Sequence, residues 1–271
     1  MTDFRPGSFQ VLPVVVKNLI IINVLVFLLQ NVLSARGFPV DDIFALHSWQ
    51  SNQFRWWQMF THMFMHGGMA HIFFNMFALW MFGRILENIW GPQRFLIFYI
   101  VCGLGAAVCH LGVLSYEYTK FYHDFMAYQD HPSYTAFLDF ISRHNIGVDQ
   151  RSMAYWVSDP DSIEQIKGSV TFIYKYYNEM VSQATVGASG AVFGLLFAFG
   201  YLFPNTELML LFPPIPIKAK WFVAIYALFE LFAGIENSAG DNIAHFAHLG
   251  GLLFAFIMLR IWKNRFRDRF Y

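Results

Sequence analysis

Ser189 stands in the tetrapeptide Gly187-Ala188-Ser189-Gly190, where a long apolar stretch begins. A hydroxyl at the outer start of a membrane helix lies near water. The free N–H groups of the first turn and the helix dipole also favour an anion that develops beside it. Those are the needs of a nucleophile whose attack creates an oxyanion. Taken alone, the tetrapeptide reads first as a packing motif, since small residues around a serine let membrane helices approach closely. The soluble nucleophile-elbow pattern G-x-S-x-G is not met, because Ala191 stands where the last glycine belongs.

A base for that serine has two candidates in Ala244-His245-Phe246-Ala247-His248-Leu249-Gly250-Gly251. A histidine inside a span is costly unless it is paired. His248 falls one to two turns below the outer end of its stretch and Ser189 about one turn below the outer end of its own. At 1.5 Å rise per residue their depths agree to within a few ångströms, as a Ser–His hydrogen bond requires. His245, three residues earlier on nearly the same face, is the alternative base, or a polar residue near the aqueous rim. Asp241 and Asn242 precede this stretch and read as helix caps rather than as a third member of a triad.

A third group lies in Thr61–Asn75. His71 and Asn75 are four residues apart and share one helix face. Both can donate hydrogen bonds, which suits an oxyanion hole opposite a serine nucleophile. The rival chemistry is metal ligation, since His62 and His66 are also four apart and could join His71 around zinc. Against it, the chain contains no H-E-x-x-H and no carboxylate positioned as a base. A G-x-G-D motif, which would suggest aspartyl intramembrane proteolysis, is also absent.

These residues need membrane helices to carry them. Of the 271 residues 56% are hydrophobic, 13% are charged, and 32 are Phe. Mean hydropathy is +0.41. A soluble core could not hide that much apolar surface, so the expectation is an all-α polytopic membrane protein. Six stretches, near 12–34, 68–89, 94–114, 186–203, 219–235 and 243–262, approach the length that crosses about 30 Å of hydrocarbon as helix. Basic residues cluster on one side of a six-span arrangement: Arg84 and Arg94, Lys218 and Lys220, and a tail with Arg260, Lys263, Arg265, Arg267 and Arg269 against Asp268. The positive-inside rule makes that side cytoplasmic, together with Arg5 and Lys17. A bacterial inner membrane fits this pattern. No removable signal peptide is evident in MTDFRPGSFQ, so the first span is expected to direct insertion.

The chain thus divides into three spans over 1–114, a polar insert over 115–184, three further spans over 185–262 and a basic tail over 263–271. The insert holds nine Asp/Glu and five Lys/Arg, and the topology puts it outside. Tyr134–Ile141 and Ile163–Met180 have partly helical apolar spacing, and Asp159-Pro160-Asp161 reads as a turn before a helix. Cys102 and Cys109 share one apolar run and read as packing residues. A formal net charge of zero gives no hint of nucleic-acid binding.

Taken together, H-x-x-x-N at His71 and Asn75, G-x-S-G at Gly187–Gly190 and A-H-x-G-G at Ala247–Gly251 resemble the motifs of the rhomboid family of intramembrane serine proteases. They occur in order on the second, fourth and sixth spans, within 12–114 and 186–262. Glu87–Arg94 looks like the family's structured turn after the second span. The resemblance implies a six-helix bundle and a Ser–His dyad without an acid. Ser189 would be the nucleophile and His248 the base, with His71, Asn75 and the Ser189 N–H as oxyanion donors. It implies no cofactor and no metal. The partners would be the lipid bilayer and transmembrane substrates, cut near their extracytoplasmic end at small residues. Where some relatives carry Tyr four residues after the nucleophile, this chain has Phe193, which still can stack on the histidine.

Three readings compete. An inactive relative that binds transmembrane clients would lack the dyad, whereas Ser189 and His248 are both present. A transporter would show inverted repeats or matched broken helices; the prolines at 213, 214 and 216 interrupt the chain only before the fifth span. Glu230, near the outer end of that span, reads as a rim residue reaching water, or as a residue facing the second span around Phe74.

Overall fold

The computed structural model describes residues 9–160, 162–209, 214–236 and 244–265. Arg5, Asp161, Pro213, Asp241, Asn242, Arg267, Asp268 and Arg269, all invoked above, lie outside the described residues. Within them the chain forms α1 (Val14–Ser34), α2 (Val40–Phe44), α3 (Gln58–Thr61), α4 (Met69–Trp90), α5 (Pro92–Asp130), α6 (Tyr134–Arg143), α7 (Gln150–Ser158), α8 (Ile163–Val181), α9 (Ser189–Leu202), α10 (Ala219–Glu236) and α11 (His245–Arg265), with a 3₁₀ turn at His62–Phe64. The all-α expectation needs one amendment, two short antiparallel ladders. In one, β1 (Leu46–His47) pairs with β2 (Ala184–Thr185); in the other, β3 (Glu207–Met209) pairs with β4 (Pro216–Lys218).

Among the described residues, four helices are long and apolar enough to cross a membrane: α1, α4, α5 and α11 over His245–Lys263. Exposed apolar residues on α1, and also on α10 (Ala219–Glu236), fit a lipid surround. Ile21, Ile22, Leu25, Leu28 and Leu29 of α1 are exposed, as are Ile225, Phe229 and Phe232 of α10. A patch of that size would be untenable in water. By contrast α9 has 14 residues, or about 21 Å. Its run from Gly190 to Leu196 is buried throughout, so α9 faces protein rather than lipid. It packs against α4, α5, α10 and α11.

The third apolar stretch ends near 114 in the sequence, yet α5 continues to Asp130, 39 residues in all. No Gly or Pro breaks 115–130, and Tyr118, Phe121, Phe125 and Tyr128 recur at helical spacing. These four are buried against Phe137, Phe140 and Ile141 of α6, Trp156 of α7 and Ile173 of α8, a second apolar core separate from that of the bundle. The insert is therefore a packed helical unit built on the end of α5. Tyr118 also donates its hydroxyl proton to the Met180 carbonyl at 2.9 Å.

The turn from α4 to α5 depends on Gly91, whose φ of +77° suits glycine, followed by Pro92 at the first helical position. One turn earlier, the buried Glu87 carboxylate accepts the Val15 N–H at 2.9 Å and the Val16 N–H at 2.8 Å. Pro13, the residue before α1, has no side-chain cap to offer, so Glu87 satisfies the start of α1 from another helix. Asn88 exchanges hydrogen bonds with the Gln10 backbone beside it, both 2.9 Å. Glu87→Ala should lower stability by about 3 kcal/mol, read as a lower thermal midpoint of the detergent-solubilised protein. Glu87→Gln, which can still accept one bond, should fall between the two.

Candidate active site

Ser189 is the first residue of α9. Three features bring it there. The β1–β2 ladder holds Thr185 against Leu46. Gly187 then turns with φ +131°, donating its N–H to the His62 carbonyl at 2.9 Å. A Cβ on Gly187 would lie 2.8 Å from Cε1 and Nε2 of His71, so both the turn and the ring next to it require glycine. Ser189 therefore stands at the N-terminus of α9, where first-turn N–H groups have no partner within the helix.

Across the bundle, α11 brings Nε2 of His248 to 2.9 Å from Ser189 Oγ. The depth match expected from helix rise is thus realised as a hydrogen bond. Phe193, one turn along α9, stacks on the His248 ring at 4.1 Å between centroids and 5° between planes. Tyr226 of α10 also stacks on Phe193, at 5.1 Å. The imidazole is held in its plane by an aromatic pile, and the missing tyrosine hydroxyl is no obstacle to stacking.

That hydrogen bond depends on how closely α5, α9 and α11 approach. A Cβ on Gly251 would sit 1.9 Å from the Gly190 carbonyl oxygen; one on Gly190 would sit 2.4 Å from Cβ of Ala106. A Cβ on Gly250 would meet the Ala106 Cα at 3.0 Å and Cβ of Cys109 at 2.7 Å. Backbone rests on backbone at this junction. Cys102 is buried and Cys109 half-buried at the same seam, both as free thiols.

His71 and Asn75 lie on α4 next to the serine. The Gly67 N–H donates to Nδ1 of His71 at 3.3 Å, which assigns the proton of the neutral ring to Nε2, the nitrogen beside Gly187. Asn75 is buried and donates from Nδ2 to the His71 carbonyl at 2.9 Å, leaving the second amide hydrogen for another acceptor. His66 is packed edge-on to His71 at 5.1 Å. Burial, helped by the nearby His71, pushes its imidazole down to about 4. His62 is pushed down to about 4 by burial as well, and its Nδ1 contacts the Gln58 carbonyl at 2.8 Å. Among the described residues, His62, His66 and His71 do not bring their ring nitrogens close enough together to form a ligand set.

Glu230 departs from both sequence expectations. It neither reaches water nor faces Phe74; it is 3% exposed. Its Oε2 lies 2.9 Å from Nδ1 of His248 and 2.6 Å from Nδ1 of His245. One carboxylate oxygen therefore joins both histidines of α11 from α10. His245 faces Glu230 rather than the serine. Glu230, His245 and His248 are also the group whose ligating atoms lie close enough for a metal. Yet ligands on tetrahedral zinc bonds of about 2.1 Å stand roughly 3.4 Å apart. The two N–O separations here are those of hydrogen bonds.

Comparison with known proteins adds the lineage. The Rhomboid domain model matches residues 53–125 and 153–265, more than half of the chain. The chain belongs to the rhomboid family. Among its relatives, the rhomboid protease GluP of Bacillus subtilis is 38% identical over 56 residues, 21% of this chain and 11% of that protein. An uncharacterized mitochondrial rhomboid protein of Schizosaccharomyces pombe is 26% identical over 283 aligned residues, 96% of this chain and 68% of that one. The mitochondrial RHOMBOID-like protein 12 of Arabidopsis thaliana is 26% identical over 254 residues, 93% of this chain and 60% of its own length. The chain thus matches between about a tenth and two thirds of the length of these relatives.

In this rhomboid the Ser189 hydroxyl at the start of α9 meets the His248 imidazole, and the His71 ring borders Gly187, two residues before the serine. Such a set can activate an oxygen nucleophile and receive the negative charge its attack creates. Glu230 is the residue that sequence reasoning placed wrongly. The signal was present: an acid within an apolar stretch is costly without a partner, and α11 offers two histidines on nearly one face.

Proposed function

We propose that this rhomboid is a serine endopeptidase that cuts transmembrane segments of other proteins near their extracytoplasmic end. The observation that carries the reading is the 2.9 Å contact between Ser189 Oγ and His248 Nε2 at the N-terminus of α9. Ser189 attacks the scissile carbonyl as its proton passes to His248. The tetrahedral oxyanion takes hydrogen bonds from the Ser189 N–H, His71 and Asn75. His248 then protonates the leaving amine, and water hydrolyses the acyl-enzyme by the reverse sequence. A substrate helix must unwind locally first, since a backbone paired within its own helix cannot present its carbonyl to these donors.

The proposal includes six spans, with α9 and α10 added to the four helices that qualify by length and composition, and the insert 115–184 on the outer side. The enclosure of α9 by other helices supports this, because a short helix at the centre of a bundle need not match the bilayer thickness. An integral membrane location follows from the family and the apolar helices. A bacterial inner membrane fits the pattern of basic residues, and two relatives carry mitochondrial names.

The test is proteolysis in liposomes that contain the protein and a single-span substrate with small residues near its outer end. Wild type should release the outer fragment and Ser189→Ala should not. Equal release by both would overturn the proposal. In the same assay His71→Ala should lose about 10²–10³ in kcat with little change in KM, because its donor acts on charge present only in the transition state.

A further inference from the structure

The resemblance implies a dyad with no acid, but the structure places one. We infer that Glu230 is the third member of the catalytic array, a positioning residue on α10 that holds His248 in the tautomer and orientation needed by Ser189. The inference rests on the protease reading above and extends it to a residue outside the motifs of the second, fourth and sixth spans.

The geometry is that of an acid–imidazole–hydroxyl relay. Nδ1 of His248 faces Glu230 Oε2 at 2.9 Å while Nε2 faces Ser189 Oγ at 2.9 Å. An ionised carboxylate only accepts hydrogen bonds, so the proton of the neutral His248 ring sits on Nδ1. Nε2 is left with its lone pair toward the serine, the state a general base requires. When His248 takes the Ser189 proton, the carboxylate opposite stabilises the imidazolium; Glu230 itself transfers no proton.

His245 completes the arrangement. Its Nδ1, 2.6 Å from the same Oε2, supplies a second donor to a carboxylate that is almost wholly buried. Two N–H donors offset the cost of keeping a charge out of water. They also fix the carboxylate rotamer, so the acid is aimed before substrate arrives. Of α10, only Ala219, Val223 and Glu230 are buried among the described residues. Glu230 is the polar one of the three and the one on the outer half of the helix.

Among the described residues, the other groups around His248 do not supply this charge. His71 of α4 and His110 of α5 are its electrostatic neighbours, and Phe193 stacks on its ring. Tyr226 of α10 and His245 of its own helix lie beside Glu230. Ser189 faces its other nitrogen. Glu230 is the carboxylate among them.

The experiment compares wild type, Glu230→Gln, Glu230→Asp and Ser189→Ala, each full length in detergent. The rate of fluorophosphonate labelling is followed against pH, and ring-¹⁵N histidine NMR reports the His248 tautomer. Glu230→Gln should label about 10⁴ times more slowly at neutral pH, the loss that follows an acid-to-amide change in a serine triad. Its pH profile should change, because the charge opposite His248 is lost. Glu230→Asp should recover part of the rate. The Nδ1–H signal of His248 should survive in Ser189→Ala and disappear or change in Glu230→Gln. A Glu230→Gln protein that labels at the wild-type rate, or whose His248 tautomer and pH profile are unaltered, would overturn the inference. The tautomer measurement needs no turnover, so an enzyme that fails to label would refute the protease reading while this readout still decides the role of Glu230.

Discussion

Substitution of His248 by alanine is expected to reduce substrate cleavage by about 10⁴–10⁶, the range for loss of the imidazole base in a serine protease. Its Nε2 is the acceptor found 2.9 Å from Ser189 Oγ, and His245 has its Nδ1 committed to Glu230. Rates in liposomes should fall with the protein still folded, because Phe193 and Tyr226 continue to stack on each other when the histidine ring is removed. Retention of more than about a hundredth of the wild-type rate would reassign the base to His245. In that case His245→Ala, not His248→Ala, would abolish cleavage.

The second large effect lies away from the chemistry. Gly251→Ala puts a methyl 1.9 Å from the Gly190 carbonyl oxygen. Backbone cannot yield as a flexible side chain can, so α9 and α11 must separate by about 1 Å or more before the contact becomes tolerable. Ser189 begins α9 and His248 stands three residues before Gly251. Their hydrogen bond would stretch by a similar amount. A displacement of that size can cost about 10²-fold in rate, and overpacking a further ~1–3 kcal/mol of stability. The control is Gly112→Ala on α5, where an added Cβ meets nothing within 4 Å. Cleavage by Gly251→Ala at the Gly112→Ala rate would show that this helix approach does not set the Ser–His geometry.

α4 and α11, which carry His71, Asn75 and His248, were legible because membrane spans announce themselves by length and apolarity. The Ser–His pairing was legible because both residues sit at countable depths from the outer ends of their stretches. What depth cannot give is rotation. Helix rise places Glu230 near the outer end of α10, but nothing in the local sequence says which way its face turns. The alternatives of rim, lateral opening and histidine partner are separated only by the packing of α10 on α11. The end of α5 was missed for a different reason. Hydropathy falls after residue 114, yet the helix persists because Tyr118, Phe121, Phe125 and Tyr128 continue its periodicity into a new core. A change of surroundings was taken there for the end of an element. Glu87 was noted only as part of a turn; its role as a cap on α1 joins residues 71 positions apart or more, a distance at which capping patterns in sequence carry no signal.

The central claim is that Ser189 is an activated nucleophile. It is tested most directly by treating the folded, detergent-solubilised protein with a fluorophosphonate and mapping the adduct by mass spectrometry, with Ser189→Ala in parallel. A single adduct on Ser189, absent from the variant, is expected. No adduct on folded wild type, while an active serine protease in the same detergent is labelled, would contradict it and favour a rhomboid that binds transmembrane clients without cutting them.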